Sequence, residues 1–350
     1  HQIGLFYLAQ LPLWLKLLLG VALFDLVSYW FHRLSHVVPF LWRFHRVHHS
    51  DTTMDASTNF RGHPLESFLW FGSSNILAAA VFGLDLLTLG LYFFITMIFF
   101  VLQHSNLRFP KWLDKSLGLL ITTPNIHKVH HEQDQHYTDS NFSDIFIIWD
   151  RLFGTFAEER KDEKVIYGVR TPLQSLNPFW GNMHYYIELW QKSKATPGWR
   201  AKLGVWLAPP GGWHDEASEP YEPSQFKYYD PCTPDAVKRY AVVHQVLAML
   251  FLMHFLTLLN TLPKTLLALY AAGFAISAIS LTSLLEGRAN ARRFEQCRVI
   301  GLGIAFAALP DWFGFSMPIA LKLMLLVVML GSAAWLSRTS FKPAALWTSQ

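Results

Sequence analysis

The fold class predicted from this sequence is all-α: a polytopic transmembrane helical bundle with a cytosolic helical cap that holds a histidine-rich dimetal site. Three observations predict it. Only 15% of the 350 residues are charged while 52% are hydrophobic and 15% aromatic, and the mean hydropathy is +0.22; soluble domains carry about a quarter charged residues. Apolar runs long enough to cross a bilayer recur along the chain. The segment FHRLSHVVPFLWRFHRVHHS, Phe31 to Ser50, contains His32-x3-His36 and His45-x2-His48-His49, and HKVHH at His127–His131 repeats the second spacing. On a helix, residues three and four apart share a face, so each box aims two or three imidazoles at one point. Three boxes converging make an all-histidine cage large enough for two metal ions.

Leu11 to Phe31 is the first expected span, with Lys16 and Asp25 as its only charges. Asp25 lies seven residues before His32 on nearly the same helical face, where it could orient that imidazole from behind; the alternative is a hydrogen bond to a neighbouring helix. Ser50 to Arg61 is polar and irregular. Arg61-Gly-His63-Pro-Leu-Glu66 then opens a hairpin of two spans, Phe68 to Gly83 and Asp85 to Leu102, joined by a Gly-Leu-Asp turn. That hairpin returns the chain to the side of the boxes and delivers His104 there.

Residues 105–240 form the longest polar region and hold more than half of the Lys and Arg, so the positive-inside rule puts this region and all the boxes in the cytoplasm. Thr123-Pro124-Asn125 reads as the start and cap of a helix bearing His127, His130 and His131. Ile145 to Phe156 is an amphipathic aromatic stretch that reads as an interfacial helix and core packing, not as a cofactor box. Pro197 to Pro234, dense in Pro, Gly and Trp, is either a cap over the site or a linker. Four further spans are expected at Val242–Leu259, Thr265–Leu285, Val299 to about Phe315 with an interruption at Pro310, and Pro318–Leu336, with the charged connection EGRANARRFEQCR from Glu286 to Arg298. His244 and His254, ten residues apart in one span, read as packing or tunnel groups. The expected division is a membrane and catalytic domain over 1–240 and C-terminal transmembrane helices over 241–350.

Imidazole suits Zn, Cu, Fe and Ni alike, so the ligands alone do not name the metal. Neutral ligands leave a dimetal centre strongly cationic, which favours binding and reducing O2 for attack on an unactivated C–H bond. A cage at the membrane surface, with apolar helices beneath it, points to hydroxylation or desaturation of a membrane lipid. The chain has no Gly-rich phosphate loop, HExxH or GxSxG, which disfavours phosphoryl transfer, zincin proteolysis and serine hydrolysis. A metal transporter or sensor is the alternative of another class, but transporters place polar ligands near the bilayer midplane, whereas these boxes flank the spans. The two cysteines, Cys232 and Cys297, make no disulfide framework, and the net charge of +4 leaves no nucleic-acid footprint.

HRLSH, HRVHH and HKVHH, together with DSNFSDIFIIWDRLFGTF from Asp139 to Phe156, resemble the fatty acid hydroxylase superfamily, also called the sterol desaturase family, over about Phe24–Phe156. The resemblance implies that His32, His36, His45, His48, His49, His127, His130 and His131 hold two iron ions, for which zinc can substitute on purification, with His63 and His104 as further ligands. By the same resemblance His184 aligns with a histidine that reaches towards the site, and Asn141 joins Asp25 as a candidate for supporting the ligands from behind. Val165-Ile-Tyr167-Gly168, Pro172, Pro178, His184, Pro197-Gly-Trp199-Arg200 and SLTSLLEGRANARRFEQCRVI, Ser280 to Ile300, are similar to one branch of the superfamily. Its members are tetrahydrobiopterin-dependent oxygenases that hydroxylate the ether-bonded carbon of alkylglycerols and release a fatty aldehyde. RGHPLE departs from that branch and keeps open a sterol or acyl-lipid hydroxylase or desaturase supplied by ferredoxin or cytochrome b5.

Overall fold

The computed structural model describes residues 4, 6, 8–134, 136–160, 165–169, 173–207, 226 and 228–339. Pro172 and most of the stretch between Pro197 and Pro234 lie outside them. Among the described residues the ordered elements are helices, with isolated β-bridges at Glu132/Tyr167 and Trp312/Phe315 only. Among the described residues six helices are long and apolar enough to cross a membrane, and the chain is an integral membrane protein. It divides into two compact units, His1–Leu173 with Asn182–Tyr228, and Gln174–Gly181 with Tyr229–Gln350.

In the first unit, α1 (Leu13–Val37) stops because Val38 precedes Pro39 and takes an extended conformation. Pro39 then starts α2 (Pro39–His49) at its first turn, where its missing N–H costs nothing. That break folds the second histidine box back against the first. Helix α3 (Pro64–Phe82) contains a π-helical segment, Phe68–Ser74. The wider turn leaves the Trp70 carbonyl to side chains, and Ser74 Oγ and Asn75 Nδ2 donate to it. Gly83 ends α3 in the left-handed conformation at φ 66°, and Asp85 caps α4 (Leu86–His104) by accepting from Thr88 N at 2.9 Å.

Helices α1 and α4 cross closely. A Cβ on Gly20 would sit 2.3 Å from Thr88 Cγ2, so glycine is required there by contact. Val21, Phe24, Ala78, Leu89, Tyr92 and Ile145 form the core between α1, α3 and α4. Lys16 pairs with Asp85 at the end of the bundle away from the histidines, which gather where α1 and α4 finish.

Helix α5 (Lys111–Leu117) leads to α6 (Pro124–His130), capped by Thr123 Oγ1, which accepts from Ile126 N at 3.3 Å. The expected helix over Ile145–Phe156 is only α7 (Ile148–Phe153). The turns before it bury Ile145 and Ile147, while Ile148 and Leu152 on the helix are exposed, so the stretch combines core packing with an exposed apolar face. Helices α8 (Pro178–Ala195) and α9 (Trp199–Leu207) follow. Arg46 lies 4.5 Å over the Tyr185 ring, and Arg43 donates to the Trp206 carbonyl. Tyr185 on α8 and Trp206 on α9 therefore pack against α2.

The second unit contains α10 (Asp235–Thr257), α11 (Lys264–Leu285), α12 (Ala291–Ala308) and α13 (Ile319–Arg338). Val299 to Phe315 was expected as a span, but α12 starts at Ala291 and ends before Pro310. Its first two turns carry Arg292, Arg293, Glu295 and Arg298, and it is not among the six long apolar helices. Gly303 faces Met329, whose Cβ would lie 3.1 Å from an added methyl, which lets α12 and α13 approach closely.

Candidate metal centre

The boxes do not converge on one point; they form two groups. His32, His36, His45, His49 and His130 bring five ligand atoms together, and His48, His104, His127 and His131 bring four, with the atoms of each group within 4.8 Å of one another. Each HxxHH box serves both groups in opposite senses. In the second box the first and last histidines, His45 and His49, enter the five-histidine group and the middle one, His48, the other. In the third box His127 and His131 enter the four-histidine group and His130 crosses to the first. At about 100° per residue, positions i and i+4 lie roughly 40° apart, while i+3 lies some 60° away on the other side. A chelating pair and a divergent third ligand follow from that spacing.

The imidazoles are held from behind. His32 Nδ1 donates to the Phe142 carbonyl at 2.7 Å, His130 Nδ1 to the Ser140 carbonyl at 2.7 Å, and His36 Nδ1 lies 3.4 Å from Asp139 Oδ1. One short loop, Asp139–Phe142, thus orients three of the five histidines in the first group. His45 Nδ1 donates to Glu66, His48 Nδ1 to the Arg61 carbonyl at 3.1 Å, and His104 Nδ1 to the Phe100 carbonyl at 2.8 Å. Such partners fix the tautomer and leave Nε2 as a lone pair.

Those lone pairs face each other. His32 Nε2 and His45 Nε2 are 3.1 Å apart, as are His48 Nε2 and His104 Nε2. Neither atom of either pair has a hydrogen to give, and His36 Nε2 and His130 Nε2 are buried without a protein partner. Protonation does not resolve this at neutral pH, because burial lowers His48 to about 4 and His130 to about 3, with neighbouring histidines adding to the effect. A shared cation does: metal–nitrogen bonds of about 2.0–2.1 Å at 90–109° put adjacent nitrogens roughly 2.9–3.4 Å apart. The residues fit two metal ions.

The other expected positions are distributed differently. His104, which ends α4, enters the four-histidine group. His63 is in neither group; its Nδ1 accepts the Leu65 N–H at 3.1 Å, capping α3, and its ring packs on Phe44. Half-buried His184, on α8, is likewise in neither. Asp25 does not orient His32: its oxygens accept from Ile145 N, Phe146 N and Trp149 Nε1, each at 2.9 Å. Asn141, at φ 55°, donates to the Ile126 and Ala157 carbonyls and accepts from Ala157 N. Asp150 takes Phe142 N and Ser143 N at 2.8 Å. Asp25, Asn141 and Asp150 therefore anchor the loop whose carbonyls hold the histidines.

Glu66 is the supporting group that spacing did not single out. It stands in RGHPLE, twenty-one residues beyond His45, where only the fold of α3 over α2 reveals its use. A cavity of about 370 Å³ borders both groups, reaching His32 and His45 on one side and His48, His104 and His127 on the other. Phe60, Trp70, Met97 and Phe100 supply apolar walls, while Arg61, Glu66 and Asp144 are its charged or acidic lining.

Residues 17–155 match the family model described as fatty acid hydroxylase. The chain is similar to the alkylglycerol monooxygenases of Danio rerio, 30% identical over 315 residues, Xenopus tropicalis, 29% over 301, and Homo sapiens, 31% over 205. These alignments cover 84%, 78% and 57% of the chain, and 66%, 62% and 42% of the respective relatives. No solved structure matches.

Proposed function

With residues 17–155 making the chain a member of the fatty acid hydroxylase family, we propose that it is a membrane-bound di-iron monooxygenase that hydroxylates a lipid. The proposed substrate is an alkylglycerol, attacked at its ether-bonded carbon to give a hemiacetal that falls apart to a fatty aldehyde and a glycerol derivative. The observation that carries this reading is the pair of histidine groups bordering one largely apolar cavity. The relatives named above support the substrate class.

Ten positions were expected to hold metal; nine of them, all but His63, are proposed ligands: His32, His36, His45, His49 and His130 for one ion, His48, His104, His127 and His131 for the other. Bound iron supplies the activation of O2 that breaking an unactivated C–H bond requires. The chain does the rest. The Asp139–Phe142 loop, Glu66 and the Arg61 and Phe100 carbonyls hold the imidazoles in the tautomer that presents Nε2. Phe60, Trp70, Met97 and Phe100 exclude water and seat an alkyl chain against the centre. Trp70 is itself fixed, its Nε1 donating to Ser28 Oγ at 2.7 Å.

In this reading residues 1–240 are the catalytic part, 241–350 are C-terminal transmembrane helices, and the centre faces the cytoplasm. Electrons come from tetrahydrobiopterin. The departure at RGHPLE favours a second reading, a sterol or acyl-lipid oxygenase reduced by ferredoxin or cytochrome b5. The test is fatty aldehyde release from an alkylglycerol by membranes containing the protein, with iron, O2 and tetrahydrobiopterin, against a His48→Ala control. Aldehyde that needs both the pterin and His48 supports the first reading. A folded, iron-loaded protein that releases none overturns it in favour of the second.

A further inference from the structure

The second compact unit contains a cavity of about 270 Å³ enclosed by α10, α11, α12 and the turn after α12. Its walls are Leu, Ala, Phe and Met side chains, with Phe251, Phe274 and Phe306 prominent. Along α12 the lining runs from Arg298 to Leu309, about 16 Å at 1.5 Å per residue. The volume holds on the order of ten water- or methylene-sized groups. That length and volume suit one alkyl chain.

Its polar groups are few and nearly all committed. Glu295, fully buried, accepts from Arg298 Nε and Nη2 at 2.7 and 2.6 Å, from Tyr240 at 2.6 Å and from Ser280 at 2.6 Å. The Arg298 charge is therefore balanced inside the protein. Its other Nη2 hydrogen goes to His244 Nδ1 at 3.2 Å and one Nη1 hydrogen to Ser277 at 3.2 Å, while His244 Nε2 donates to Ser332 Oγ at 3.0 Å. Of the five guanidinium donors one remains, on Nη1. At the opposite end Trp312 Nε1 is buried and makes no close hydrogen bond; its neighbour Tyr270 also lines the cavity and donates its hydroxyl to the Phe251 carbonyl at 3.1 Å. The uncommitted groups at the two ends are thus donors, in a lining that is otherwise mostly apolar.

We infer that this cavity is a lipid-binding site for one alkyl chain whose uncharged end group presents an oxygen acceptor, such as a fatty ester or a fatty aldehyde. An anionic end group finds no unbalanced cation there, because Glu295 already neutralises Arg298. The chain enters sideways from the bilayer. Leu269 and Gly273 line the cavity and are exposed, and a Cβ on Gly273 meets nothing within 4 Å. A larger side chain at Gly273 therefore fills the mouth without striking the backbone. This site is independent of the metal centre and of the reading proposed for it.

The test uses the full chain in detergent and a photoreactive twelve-carbon methyl ester, with cross-linked peptides mapped. Labelling between Leu247 and Leu309 that methyl dodecanoate or dodecanal displaces supports the site, and the better competitor tells a membrane ester from an aldehyde as its source. Gly273→Phe should abolish that labelling, and Ala305→Leu, narrowing the middle, should weaken it if the first variant fails to fold. Trp312→Phe keeps the packing and loses one donor, which should weaken displacement by about three- to tenfold. Labelling unchanged in folded Gly273→Phe and Ala305→Leu, or displacement by dodecanoate at pH 8 as effective as by its ester, overturns the inference.

Discussion

Replacing His104 by alanine tests the partition of the histidines into two groups. His104 Nε2 sits 3.1 Å from His48 Nε2, 3.1 Å from His127 Nε2 and 3.2 Å from His131 Nε2, so it is the hub of the four-histidine group. A four-ligand structural zinc site stabilises its bound ion by roughly 10–16 kcal/mol, or about 3 kcal/mol per ligand if shared evenly, which is about two decades in affinity. The five-histidine group contains no atom of His104. His104→Ala should therefore lower metal content from two ions to one per chain after dialysis against a chelator of intermediate affinity, and leave the second ion bound as tightly as before. The assay is metal analysis by mass spectrometry across a chelator series, with unfolding followed in parallel to count only folded protein. Loss of both ions together, or of neither, would refute the two-group geometry.

Glu66→Gln removes the carboxylate that accepts from His45 Nδ1 and should weaken the five-histidine group by about 10–100-fold; the same chelator series reads it, with the four-histidine group as the internal control. Asp25→Ala leaves three buried donors unpartnered, a destabilisation of several kcal/mol at roughly 1–3 each. Its folded fraction should still bind two ions when assayed at low temperature, whereas a direct role behind His32 predicts selective loss from the first group. His254→Ala, which removes contacts to Tyr270 and Phe315 within the second unit, should change neither metal content nor turnover. In metal-free protein His48 and His130 stay neutral down to about 4 and about 3, while unfolded histidine takes a proton near 6.5. The unfolded state then binds more protons, so stability should fall as pH drops from about 6.5 and level off only below about 3. An unfolding midpoint of chelator-treated protein that does not move between pH 7.5 and 5 would contradict this.

How far the site was legible depends on how local each interaction is. Box spacing, the Thr123-Pro124 cap and the Gly83-Leu84-Asp85 turn are set by helix geometry and backbone preference over a few residues, and each is found where it was expected. For Asp25 two readings stayed open, because helical phase says which way a side chain points but not what comes to meet it. The partners of Asp25 are about 120 residues away in sequence. In Ile145–Phe156 the sequence shows an amphipathic stretch but not which N–H groups the fold takes up: Ile145 N and Phe146 N go to the buried Asp25 carboxylate, and the helix begins at Ile148. Val299–Phe315 was judged by its apolar content alone, without the charged turns that begin the same helix.

The sequence by itself determined the helical class, six of the seven expected membrane-spanning runs and the histidines that could hold metal, because hydropathy over about twenty residues and i, i+3, i+4 spacing are local properties. Only the tertiary structure decided that those histidines divide into a group of five and a group of four, that Glu66 and the Asp139–Phe142 carbonyls hold them, and that His63 caps a helix instead. One box cannot specify a partner. The break at Pro39 and the crossing of α1 and α4 at Gly20 bring three distant boxes to the same end of the bundle, and which nitrogen faces which follows from that packing alone.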